Sequence, residues 1–85
     1  MNQDFDDLLE LGNFYILSQR FEEALKVLKK AEKIDKMNPA LYFNMGMAHE
    51  GLNERDEARN SFRLTLKLNP DDKAAQEHLT KLVEE

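Results

Sequence analysis

The residues with chemical potential are few. They are two histidines, His49 and His78, two asparagines, Asn13 and Asn44, and a run of cations at Arg55, Arg59, Arg63 and Lys67. An imidazole can ligate a metal, but neither histidine has a carboxylate or a third histidine at convincing spacing, so both read as structural or solvated. The chain has no cysteine, which removes disulfides and thiolate metal sites. The cations recur every fourth residue and so share one face of a helix. They could meet a phosphate, but Glu54 and Glu57 lie among them and the net charge is −5. That balance argues against a nucleic-acid partner. No Ser–His–Asp set, glycine-rich phosphate loop or carboxylate pair in a closed pocket can be placed, so neither catalysis nor a cofactor or metal is expected. The asparagine amides can both donate to and accept from the backbone of an extended peptide. That is binding chemistry, and it needs elements to present it.

Those elements read as helices. Glycine and proline number only three and two. Leu8, Leu11, Gly12 and Tyr15 recur at three- and four-residue steps, which predicts a helix over about 4–19, capped by Asp4. Ala24, Leu28, Ala31 and Ile34 predict a second over 21–35. Asn38-Pro39 is a cap followed by proline in the first turn, opening a third over 39–51 that Gly51 closes. Asn53 with Asp56 resembles a capping arrangement for a fourth over 54–68, with Ala58, Phe62, Thr65 and Leu66 inward. Asn69-Pro70-Asp71-Asp72 breaks the chain, and a fifth helix follows over 72–83, with Ala75, Leu79, Leu82 and Val83 on one side. The links are short, so neighbouring helices run antiparallel.

The first and third helices share a grammar thirty-four residues apart. Leu8, Leu11, Gly12 and Tyr15 match Tyr42, Met45, Gly46 and His49. Ala24 and Leu28 match Ala58 and Phe62, and Pro70 follows the second copy. This pattern resembles the tetratricopeptide repeat, a helix–turn–helix unit of that period. The resemblance implies an all-α, right-handed superhelical array of antiparallel hairpins. Residues 1–85 form one domain, with repeat one at 5–38, repeat two at 39–72 and a capping helix at 72–84. The departures are Lys36 at the expected proline, His49 for tyrosine and Thr65 for a small alanine, and they could loosen packing in repeat two. The glycines and alanines let the helices of each hairpin approach closely, and Leu28 and Phe62 fill the space between them.

In such arrays the first helix of each repeat lines a concave surface. The resemblance therefore assigns a partner-binding groove to Leu9, Glu10, Asn13, Ile16 and Leu17, with Phe43, Asn44 and Met47. The expected function is a protein-interaction module that docks an apolar, neutral or basic peptide or helix. A homo-oligomer built on the same apolar surface is the alternative. One subclass of the family grips acidic chaperone tails with a clamp of lysines, arginine and asparagines. Asn13 and Asn44 match two clamp positions, but Leu9, Ala74 and His78 stand where cations are required. No apolar run reaches the ~20 residues of a membrane span. Met1-Asn2-Gln3-Asp4 lacks the basic region and apolar core of a signal peptide, so no membrane partner and a cytoplasmic location are expected.

Overall fold

The computed structural model describes residues 4–84, so the signal-peptide reading of the first three residues and the placement of Glu85 lie outside it. Five helices follow in order: α1 Phe5–Leu17, α2 Phe21–Ile34, α3 Pro39–Gly51, α4 Arg55–Leu68 and α5 Lys73–Glu84. No strand occurs among the described residues. Each helix packs on the next, and α1 also meets α3. The result is an elongated array of 44 × 25 × 17 Å.

Three helix starts follow from their capping side chains. Asp4 Oδ1 accepts the Asp7 N–H at 2.9 Å, Asn38 Oδ1 accepts that of Ala40 at 2.9 Å, and Asp72 Oδ1 accepts that of Ala75 at 3.0 Å. The fourth helix departs from expectation. Its N-cap is Glu54, which makes no side-chain cap bond. Asn53 serves instead as a left-handed turn residue at φ 62°, and Gln19 does the same at 61° thirty-four residues earlier. The turns share their bonds: the Arg20 N–H donates to Tyr15 O at 2.7 Å and the Glu54 N–H to His49 O at 2.9 Å. A left-handed residue spanned by such a bond ends a helix in the way that usually calls for glycine. Gly51 does not take that role. It keeps helical geometry, and its bareness serves packing, because a Cβ there would lie 2.4 Å from the Phe21 ring.

The two repeat glycines behave as expected. A Cβ on Gly12 would come within 2.6 Å of Leu28, and one on Gly46 within 2.7 Å of Phe62. Leu28 and Phe62 are fully buried, as are Ala24 and Ala58. Two buried clusters result. The first joins α1, α2 and α3 around Leu8, Leu28, Leu41 and Tyr42. The second joins α4 and α5 around Phe62, Ala75 and Leu82, with Phe43 and Met47 of α3 packed against it. Thr65 does not loosen this core. It is buried, and its hydroxyl donates to Ser61 O at 3.0 Å. The Tyr42 hydroxyl lies 3.1 Å from Glu32 Oε2 and 3.0 Å from Lys36 O, two acceptors for its one hydrogen.

Two expected core residues are exposed, and Leu11, Tyr15, Leu66 and Leu79 are only half-buried. Ile34 is 55% exposed and Val83 59%, because each stands at a helix end that no element among the described residues covers. Leu11 is only half-buried, whereas its repeat counterpart Met45 is buried. The difference has a simple source: α2 covers that side of α3, and no helix among the described residues covers that side of α1.

Candidate partner-binding groove

α1, α3 and α5 occupy the first-helix position of successive units. Short turns and close-packed hairpins fix their order, so the side chains between them share one surface. A cleft of about 510 Å³ opens there, lined by Ile16 and Leu17 of α1, Met47 and Glu50 of α3, His78 of α5, and Phe21 beside Gly51. Leu17 is 77% exposed. A second cleft of about 340 Å³ lies between the starts of α3 and α5, lined by Ala40, Phe43, Asn44, Asp72 and Ala74.

The expected groove residues are thus divided. Ile16, Leu17 and Met47 line the first cleft, and Phe43 and Asn44 the second. Leu9 is half-buried against the first cluster, and Asn13 is exposed. Glu10 faces elsewhere, in a shallow cleft with Asp7, Leu11 and Phe14. Phe43 is less free than an outward-facing ring would be. It meets Phe62 edge-on at 5.6 Å and His78 at 5.7 Å, while His78 stacks flat on Phe62 at 5.0 Å.

Carboxylates do stand beside both histidines. His78 Nδ1 lies 2.8 Å from a buried oxygen of Glu50, bridging α5 to α3. His49 Nδ1 lies 2.7 Å from Glu54 Oε1 across the α3–α4 turn, and Glu57 brings a third ligand atom within 4.8 Å. Spacing along the chain hid both pairings, because each joins different helices or the two sides of a turn. The Phe21 contribution was also missed. Its signal was available in Gly51, which stands thirty-four residues after the large Leu17.

The electrostatics of the surface are one-sided. Neither α1 nor α3 contains a lysine or arginine. Glu50 and Asp72 line the clefts, opposed only by His78. On the hairpin side, burial raises the Tyr42 phenol above its ordinary range, helped by the hydrogen bond and negative charge of Glu32 and by the charge of Asp35.

Family comparisons agree with this architecture. A family model described as TPR repeat matches residues 12–53, and one described as Tetratricopeptide repeat matches residues 39–72. The chain belongs to the tetratricopeptide-repeat family. Repeats of this family are interaction modules for other proteins, a binding fold rather than a catalytic one. Among curated relatives, the peptidyl-prolyl cis-trans isomerase FKBP4 of Mus musculus is 35% identical over 71 residues, covering 84% of this chain and 16% of that protein. The peptidyl-prolyl cis-trans isomerase FKBP42 of Arabidopsis thaliana is 36% identical over 81 residues, covering 91% of this chain and 21% of its own length. The chain therefore corresponds to a small share of each relative. Among the described residues, no helix is long and apolar enough to cross a membrane.

Proposed function

We propose that the concave face of this tetratricopeptide-repeat chain binds an apolar, neutral or basic peptide or helix of a protein partner. One observation carries the reading: Ile16, Leu17 and Met47 form an apolar cleft against Phe21, with Glu50 at its edge and no lysine or arginine among its lining residues. Exposed apolar surface rimmed by polar groups is typical of interaction sites. Asn13 and Asn44 supply amides for a peptide backbone. An acidic tail would meet acids without compensating cations and be steered away.

The test pairs Leu17→Asp with Phe43→Ala, each checked for helicity by circular dichroism. Capture of a partner from lysate should fall about tenfold or more with Leu17→Asp. Capture unchanged in both variants, with the fold intact, counts against the groove. Self-association through the same face is a second reading, favoured by a Leu17 that is 77% exposed. Light scattering separates the two, since a monomer at high concentration removes it.

A further inference from the structure

The thirty-four-residue offset can be applied to surfaces as well as to cores. The shallow cleft of Asp7, Glu10, Leu11 and Phe14 on α1 corresponds, position for position, to Leu41, Asn44, Met45 and Ala48 on α3. Of these α3 residues, Leu41, Met45 and Ala48 are buried in the cluster shared with α2. The repeat therefore shows what covers such a face: a helix of the α2 kind. On α1 the same face is open, with Phe14 58% exposed and Leu11 half-buried.

α5 shows what this chain places, at the corresponding register, on a helix face left to water. Thirty-four residues after Tyr42 and Gly46, on the side that packs a hairpin partner, α5 carries Gln76 and Thr80. Both are exposed, and the Gln76 amide donates to the Thr80 hydroxyl at 3.3 Å. Such a polar face is stable in water without a covering helix. α1 is not finished this way. It keeps a leucine and a phenylalanine, and changes their surroundings in one direction only. Neutral Ala40, Leu41 and Asn44 become Asp6, Asp7 and Glu10, all three exposed, on a helix without lysine or arginine.

From this we infer that the outer face of α1 is a second docking surface, separate from the groove, whose occupant is a basic amphipathic helix of a protein partner. Leu11 and Phe14 receive its apolar stripe. Its lysines or arginines pair with Asp7 and Glu10, which would otherwise lose water without compensation. Phe14 stands where α3 has alanine, so the incoming helix carries a small residue opposite it. An acidic or neutral helix would leave the carboxylates unpaired and is rejected.

The chain supplies its own probe. A cross-linked helical peptide with the sequence of residues 20–36 is of the kind that covers the equivalent face of α3, and flanks its apolar stripe with Lys26, Lys29, Lys30 and Lys33. Its binding to the intact protein is read by fluorescence polarisation and by amide chemical-shift mapping. The expected result is saturable binding below about 1 mM, with shifts at Asp7, Leu11 and Phe14. Binding weakens with added salt, and falls about tenfold or more in Phe14→Glu and in Asp7→Lys/Glu10→Lys. Leu17→Asp leaves it unchanged, so failure of the groove reading and failure of this one are distinct. The inference is overturned if the peptide does not bind, if shifts fall on Leu17 and Met47 instead, or if a peptide with those four lysines changed to glutamate binds as well.

Discussion

At the scale of single residues, the repeat glycines make a testable pair of opposing effects. Gly46→Ala gains about 1 kcal/mol of helix propensity but puts a methyl group 2.7 Å from Phe62. Overpacking of that kind costs about 1–3 kcal/mol. Phe62 is fully buried and wedged against His78 and Phe43, so it cannot yield, and the denaturation midpoint should fall. A raised midpoint would show that the ring moves. Tyr42 makes a pH prediction. Its phenol is raised in the folded protein, so folding favours the neutral form. That contribution is complete below the unfolded value of about 10 and declines as pH rises through it toward the folded one. Stability measured in urea from pH 8 to 11 should drop more steeply in the native chain than in Tyr42→Phe. The same substitution at pH 7 costs about 1 kcal/mol for the lost hydrogen bond. Gly12, Gly46, Leu28 and Phe62 were legible in the sequence because each role depends on a hairpin partner at fixed spacing. Gly51 and Tyr42 were not, because both pack on α2 across the boundary between repeats. Nor were Leu11 and Ile34, because their burial depends on whether another helix lies beyond them.

At the scale of elements, the two hairpin turns use a left-handed residue that is not glycine. Gln19 has the less suitable side chain of the two, since asparagine tolerates this conformation better. Gln19→Gly should therefore raise stability by about 0.5–1 kcal/mol, read as a shift in urea midpoint with unchanged slope. A fall would mean that the glutamine side chain holds the turn. α5 is predicted to act as the cover of the second cluster. A chain ending at Asp72 uncovers Phe62 and Phe43, and amide exchange in α4 should accelerate toward the solvent rate while α1 and α2 keep more of their protection. Equal loss everywhere would show one indivisible unit. Helix positions were readable from period, from caps at Asp4 and Asn38, and from the break at Asn69-Pro70-Asp71-Asp72. The bounds of α4 were legible as well, but its cap was not, because Asn53 suits two roles in sequence, cap and left-handed turn, and backbone geometry selects the second.

At the scale of the whole molecule, the family, the all-α class and the order of packing all follow from one thirty-four-residue period. The candidate groove was less legible. The family resemblance pointed to Ile16, Leu17, Met47, Phe43 and Asn44, but their division between two clefts depends on His78 reaching across to Glu50 and Phe62. Such contacts between elements leave no period behind. Glu10 belongs instead with Phe14 on the outer side of α1.

The separation of the interior into two clusters has a mechanical consequence. α3 contributes Leu41 and Tyr42 to the first and, through Phe43 and Met47, buttresses the second. A load applied between the ends is carried through them in series, and the one built on Phe62, Ala75 and Leu82 is the smaller. Under tension the array should yield first at α5, peeling a single helix while the first hairpin still holds. In an optical trap this appears as two steps of extension, the shorter one first. A tether made from this chain would have a built-in fuse at its C-terminal side.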